Sequence, residues 1–321
     1  MSTVAASKPS ESPDTLDAFR DDRTYLGADH SRNERRTWIV TGICAATLAG
    51  LIAGGAVTRS LALIASGLHM GAHVAALAVA AGAYALARRH AGNPIFSFGT
   101  GKVGYLAGFA NAVVLGITAV LIAAESLARL VSPEAVAYSE ALPIAAMGLA
   151  VNLVCVWLLR PTGASAARHD PDGDLNLSAA HLHLSADAVV SVLTLAALAA
   201  GWKLGWTFAD PLAGLLAAGL VAHFALSLLR RAGAALLDVN PSRALTEEVR
   251  QRLSAGGERV VDLHLWRLGP GHHAVIAVLA ADRPQAPDAY RARLAGLAGV
   301  SHVTVEVRGP AAGPDPGCPH S

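Results

Sequence analysis

Long apolar stretches dominate residues 38–230 of the chain. A helix needs about 20 predominantly apolar residues to cross a bilayer, and each stretch is long enough to do so. Gly and Ala are frequent in all of them, and such small residues let membrane helices pack closely. The six predicted spans are 38–57, 61–87, 103–130, 141–159, 177–200 and 208–229. The sequence therefore predicts a polytopic α-helical membrane protein with a six-helix transmembrane domain at 38–230.

The pattern changes after the last span. The predicted elements there are a helix at 243–253, strands at 259–267 and 274–280, a helix at 288–297 and a strand at 302–307. The strand at 259–267 alternates apolar and polar positions, and a Gly-Pro-Gly turn joins the first two strands. The order predicts a small cytoplasmic α+β domain of the ferredoxin-like type at 240–308, with an antiparallel sheet.

The two ends of the chain carry no such pattern. Residues 1–37 are rich in Ser, Pro, Asp and Arg and contain no apolar core, which predicts a disordered tail and no cleaved signal peptide. Residues 309–321 are predicted to form a flexible tail, which contains Cys318 and His320. Cys44 and Cys155 lie inside apolar runs and are predicted to be small buried side chains.

Composition and charge placement agree with a membrane protein. Hydrophobic residues make up 53% of the chain and charged residues 15%, against about 25% charged residues in soluble domains. The net charge of +1 indicates no nucleic-acid partner. Basic residues cluster before the first span, after the sixth, and in every second connection, at Arg32, Arg35, Arg36, Arg88, Arg89, Lys102, Arg160, Arg168, Arg230 and Arg231. The positive-inside rule then predicts that both termini are cytoplasmic.

Ionisable side chains in the middle of two spans are the candidate functional residues. His69 and His73 lie in the second span, and His183 and Asp187 in the fifth. Each pair is spaced i, i+4, so its two side chains share one helical face, and ionisable groups at this depth are functional candidates by default. Three imidazoles and one carboxylate suit a divalent first-row cation that prefers nitrogen, such as zinc, cobalt, nickel, iron or copper.

Other polar residues in the spans have simpler interpretations. One buried histidine is often a hydrogen-bonded packing residue, but two pairs at similar depth favour a metal site. His181 points to another side of its helix than His183, and it is placed near the cytoplasmic interface. Asn111 and Asn152 are expected to form hydrogen bonds between helices.

Five short motifs resemble those of a known family, the cation diffusion facilitators. They are Ser-Gly-Leu-His-Met-Gly-Ala-His at 66–73, Phe-Gly-Thr-Gly-Lys at 98–102, His-Leu-Ser-Ala-Asp at 183–187, Ala-Asp-Pro at 209–211 and Leu-Leu-Asp at 236–238. The resemblance implies efflux of a divalent cation from the cytoplasm in exchange for protons, by a homodimer in the lipid bilayer of the bacterial inner membrane. It implies no permanent cofactor, because the metal ion is cargo.

The second span and the segment at 262–272 are similar to the bacterial branch that exports cobalt and nickel, which makes these ions the favoured cargo and leaves zinc open. Thr100 stands where some members have a histidine, so their second site in this loop is expected to be absent. The 161–176 loop is either a weak metal collector or a solvated acidic loop. Metal binding in the cytoplasmic domain, at His264, His272, His273 and His302, is also left open.

Two other classes of protein are weighed against a transporter. An intramembrane metalloenzyme of the desaturase type needs closely spaced histidine boxes, which the sequence lacks. A non-transporting metal sensor needs no ligands at the depth of the bilayer midplane. The sequence therefore predicts a transporter and no enzyme activity.

Overall fold

Six long helices precede a small C-terminal domain. The structure is a computed structural model, and it describes residues 24–58, 61–132, 137–160 and 174–309, except the side chains of residues 58, 61, 62, 65, 68 and 69. The long helices are α1 His30–Thr58, α2 Leu61–Arg89, α3 Val103–Val131, α4 Tyr138–Leu159, α5 Leu175–Leu204 and α6 Ala209–Leu236. Each is long and apolar enough to cross a membrane. The predicted six-helix membrane fold is therefore confirmed.

Helix α1 begins earlier than the sequence pattern predicts. It starts at His30, whereas residues 1–37 were expected to form a disordered tail. Its polar first turns are held by contacts with other helices: Asn33 donates a hydrogen bond to Asp174 (2.9 Å), and Glu34 accepts two from Arg88 (2.9 and 3.0 Å). Residues 1–23 and 310–321 lie outside the described residues.

The helices pack as closely associated pairs. Helix α3 runs along α6, α1 along α2, and α4 along α5, while α2, α4 and α5 also contact one another. Gly67 permits the close approach of α2 to α1, because a methyl group there would lie 2.7 Å from Ile52 Cδ1. This arrangement brings the middle of α2 against the middle of α5.

The outer surface of the bundle is apolar. Val120 and Leu216 are 69% and 67% exposed although they lie in long helices. Exposed tryptophans stand near the helix ends, with Trp157 before the end of α4 and Trp202 before the end of α5. Apolar midsections with aromatic ends are typical of helices that contact lipid.

The C-terminal domain contains α7 Arg243–Leu253, β1 Arg259–Gly269, β2 His272–Ala280, α8 Pro287–Leu294 and β3 Val300–Arg308. The predicted α-β-β-α-β order is confirmed. The predicted antiparallel sheet is wrong for its third strand: β1 and β2 are antiparallel, but β2 and β3 are parallel. Helix α8 carries the chain back to the start of β2, so β3 runs in the direction of β2.

Two of the sequence motifs meet where the C-terminal domain contacts the helices. Lys102 Nζ lies 2.5 Å from Asp238 Oδ1, and Thr100 donates a hydrogen bond to the Ala87 carbonyl at 2.8 Å. Gly101 packs against the backbone of the β1–β2 turn, and a methyl group there would collide with the Leu268 carbonyl. The 98–102 motif thus contacts Asp238 just after α6 and also the β1–β2 turn of the sheet.

Candidate metal-binding site

Helices α2 and α5 bring three of the four predicted ligands together. His73 Nδ1 lies 2.7 Å from His183 Nε2, and the two rings meet edge to face. His73 Nε2 lies 3.4 Å from Asp187 Oδ2. His183 and Asp187 are one turn apart on the same face of α5, so the ring of His73 connects them. The i, i+4 spacing in α5 therefore produces the common face that the sequence predicts.

These side chains lie in the interior of the bundle. His73 is 4% exposed and His183 9%, and the Asp187 side chain is 15% exposed. His69 precedes His73 by one turn of α2, but its side chain lies outside the described residues. Its role as the fourth ligand stays a prediction.

Asn152 of α4 contacts the same carboxylate. Its Nδ2 donates a hydrogen bond to Asp187 Oδ2, and the residue is 2% exposed. Its Oδ1 is buried and, within the described part of the chain, has no hydrogen-bond partner. The sequence indicated only a hydrogen bond between helices, because no local pattern shows which residue of α5 faces Asn152.

A cavity of about 500 Å³ reaches Asp187 and Asn152 from one side of the bundle. We call this side the Arg129 side, because Arg129 near the end of α3 and Asp210 at the start of α6 line its far end. On α5 the lining residues are Asp187 and residues that follow it, up to Leu198. Of the candidate ligands, Asp187 therefore borders a cavity that leads to the Arg129 side.

Hydrogen bonds hold the helix ends together on the opposite side, which we call the Asp174 side. Asp174 Oδ2 accepts hydrogen bonds from Asn33 (2.9 Å) and from the hydroxyl of Tyr84. Asp174 Oδ1 accepts from the backbone amides of Asn176 and Leu177, at 3.1 Å each, and so caps α5. One carboxylate thus ties together the ends of α1, α2 and α5, a role that the sequence analysis missed.

In the described part of the C-terminal domain, the histidines contact other groups and are not gathered into a set of metal ligands. His264 bonds to Asp262 at 2.7 Å, and His272 to the Ser301 hydroxyl at 2.7 Å, while His273 contacts the Gly299 carbonyl. Burial lowers the pKa of His272. The remaining position, His302, packs against the ring of Phe98. Of the 161–176 loop, His169, Asp170 and Asp172 lie outside the described residues, and Asp174 is the cap of α5.

The three candidate ligands whose side chains are described contact one another rather than surround a single point. Among the described residues, no group of three or more His, Cys, Asp or Glu side chains is arranged as a complete set of metal ligands. His73 has one ring nitrogen next to His183 and the other next to Asp187. A cation that enters must therefore break these contacts and turn the donors toward itself.

The membrane-spanning part of the chain matches a known protein family. The family profile described as "Cation efflux transmembrane domain" matches residues 37–237. The chain belongs to the cation efflux family. Its relatives include the "Zinc transporter ZitB" of Pectobacterium atrosepticum, which is 31% identical over 242 residues, or 74% of this chain and 73% of the relative. Members of the cation efflux family transport metal cations, so this chain is a metal-cation transporter and not an enzyme.

Two further relatives have broader names. The "Cadmium, cobalt and zinc/H(+)-K(+) antiporter" of Bacillus subtilis is 30% identical over 224 residues, 69% of this chain and 70% of the relative. The "Metal cation efflux system protein CzcD" of Cupriavidus metallidurans is 29% identical over 293 residues, 88% of this chain and 90% of the relative. The similarity to a cobalt- and nickel-exporting branch gains no support from these names, since nickel appears in none of them.

Proposed function

We propose that this cation efflux protein exports a divalent cation of the zinc, cobalt and nickel group from the cytoplasm, in exchange for protons. The ligands are His69, His73, His183 and Asp187. The observation that carries the proposal is the buried network in which His73 contacts both His183 and Asp187. Two spans supply nitrogen and oxygen donors in an interior where ionisable groups are otherwise costly.

The network also supports proton exchange. A contact of 2.7 Å between His73 Nδ1 and His183 Nε2 needs a proton between them, because two nitrogen lone pairs would repel each other. A metal ion needs both nitrogens unprotonated, so protons and metal compete for the same atoms. In the metal-free arrangement the His73–His183 contact holds a proton where the cation binds, and the proposal is that this proton leaves the site when the cation enters.

Access from one side at a time completes the cycle. The cavity opens to the Arg129 side, while the hydrogen bonds of Asp174 hold the helix ends together on the other. With both termini in the cytoplasm of a bacterium, as the basic connections favour, the Arg129 side faces away from the cytoplasm. The arrangement is then the outward-open, metal-free state, and loading requires the Asp174 side to open.

The donor set decides the class of ion. Imidazole-rich sites favour zinc, cobalt and nickel over magnesium and calcium, which prefer oxygen ligands. The name of the Pectobacterium relative favours zinc, and that of the Bacillus relative includes cobalt. We therefore include zinc equally with the cobalt and nickel that the sequence analysis favoured. The active protein is proposed to be a homodimer in the lipid bilayer, as the family resemblance implies.

Transport by purified protein in liposomes tests the proposal. A pH-sensitive dye inside the vesicles reports proton movement when Zn²⁺, Co²⁺, Ni²⁺ or Mg²⁺ is added outside. We expect a signal with the first three ions and none with Mg²⁺. His73→Ala and Asp187→Ala are expected to abolish the signal, because each removes a donor from the network.

His223→Ala is the matched control, because His223 lies in the middle of α6 and outside the network. It is expected to keep the signal. Folded His73→Ala and Asp187→Ala variants that both transport as well as the unaltered chain would remove this site from the mechanism. A metal flux that moves no protons would refute exchange while leaving the site in place.

A further inference from the structure

Two cysteines from different helices meet in the interior of the bundle. Cys44 of α1 and Cys155 of α4 are both fully buried, and their sulfur atoms lie 3.8 Å apart. Both are free thiols. Neither belongs to the histidine–aspartate network, so the proposed exchange mechanism leaves the pair without a function.

The spacing of the two sulfur atoms fits a shared cation. Tetrahedral coordination with metal–sulfur bonds of about 2.3 Å places two sulfur ligands about 3.8 Å apart. The observed Sγ–Sγ distance is also 3.8 Å. Larger thiophilic ions need a slightly longer separation, which rotation of either side chain about its Cα–Cβ bond supplies.

The thiol pair lies just beyond the wall of the cavity. Thr47 and Asn152 line the cavity. Thr47 follows Cys44 by three residues in α1, and Asn152 precedes Cys155 by three residues in α4. Three residues correspond to a rise of about 4.5 Å, directed toward the Asp174 side on both helices. Met70 lines the cavity and also packs in the same apolar cluster as the two cysteines. A cation in the cavity is therefore about one helical turn from the thiol pair, and the thioether of Met70 lies beside its path to the pair.

Charge balance favours a divalent ion at this place. Two thiols that bind a divalent cation as thiolates lose two protons, which leave through the cavity water, and two metal–sulfur bonds form. No oxidation or reduction is involved. The bound group is neutral, which suits a dry interior where an uncompensated charge is expensive. Thiolate ligands also bind soft cations in preference to the harder cations that imidazole and carboxylate ligands bind.

We propose that Cys44 and Cys155 form a second metal site, specific for thiophilic divalent cations such as Cd²⁺, at the inner end of the cavity. An ion held there links α1 to α4. Such an ion inhibits the transporter, because it fixes two of the helices that enclose the path.

Cadmium binding to the full chain in detergent tests the proposal. The background variant is Cys318→Ser, which removes the third cysteine of the chain. Cadmium thiolates absorb in the ultraviolet by sulfur-to-metal charge transfer, whereas a histidine–aspartate site does not. We expect this absorption in the background variant, together with a loss of reactivity of the two thiols toward a small alkylating reagent once Cd²⁺ is present.

The matched variants are Cys44→Ser and Cys155→Ser, with the corresponding alanine variants used if a serine variant fails to fold. Each is expected to lose the absorption and one bound Cd²⁺ per chain while it keeps zinc transport. Asp187→Ala is expected to keep the absorption, since its carboxylate belongs to the other site. Absence of the absorption in the folded background variant overturns the proposal, as does its persistence without both thiols or its loss in Asp187→Ala. These readouts do not depend on transport, so a failure here is distinct from a failure of the proposed export function.

Discussion

Replacing Asn152 with Leu is expected to weaken metal binding without unfolding the protein. The amide of Asn152 donates to Asp187 Oδ2, so it holds the carboxylate in place beside His73. Leucine has a similar volume and cannot donate this hydrogen bond. Asp187 then loses its orienting partner, and its carboxylate can turn away from the network.

The expected size of the effect follows from the position of the amide. Removing a hydrogen-bond partner from a metal ligand costs about 10- to 100-fold in metal affinity or activity. Stability is expected to change little, because the loss of the Nδ2 hydrogen bond to Asp187 is offset by removal of the buried Oδ1, which has no partner among the described residues. The prediction is therefore a large loss of affinity with an unchanged melting temperature.

The assay measures the zinc concentration that gives half-maximal proton movement in liposomes. Direct Zn²⁺ titration of the detergent-solubilised protein separates binding from transport. The control is Asn111→Leu, since Asn111 is another buried asparagine and donates to the Ala76 carbonyl of α2 rather than to a candidate ligand. Equal affinities in the two variants, or an unchanged affinity in Asn152→Leu, would refute the argument that the amide positions the carboxylate.

Three further predictions concern the rest of the chain. Arg293 lowers the pKa of Glu258 to about 2 through hydrogen bonds of 2.8 and 2.9 Å. The pair therefore stabilises the C-terminal domain fully above the unfolded-state pKa of ~4.3, and this stabilisation is lost as the pH falls to about 2. Arg293→Ala is expected to remove this pH dependence and to increase hydrogen exchange in β1 and β2 at neutral pH; an unchanged exchange profile would contradict it. Lys102→Ala and Asp238→Ala are expected to show a coupling energy of about 0.2–1 kcal/mol in a double-mutant cycle of thermal unfolding, because the ion pair is partly exposed. Additive effects of the two substitutions would show that the ion pair contributes nothing to stability. Asp174→Ala is expected to cost about 0.5–2 kcal/mol and to raise hydrogen exchange in the first turn of α5, because it removes the cap; protection equal to that of the unaltered chain would show that water replaces the carboxylate.

The sequence by itself determined the elements and the candidate ligands. The length of an apolar run decides whether a helix spans a bilayer, and both length and composition are local properties. The same holds for His183 and Asp187, because an i, i+4 spacing places two side chains on one face in any α-helix. Alternation of apolar positions likewise predicted the first strand of the C-terminal domain.

Only the tertiary structure decided which of these faces meet and in what direction. Asn152 and Asp187 are 35 residues apart, and Cys44 and Cys155 are 111 apart, so no local pattern pairs them. The parallel course of β3 depends on where α8 crosses the sheet, and the early start of α1 depends on partners in α2 and before α5. Periodicity fixes the face that a residue occupies on its own helix or strand, whereas its partner is chosen by packing between segments that are distant in the chain.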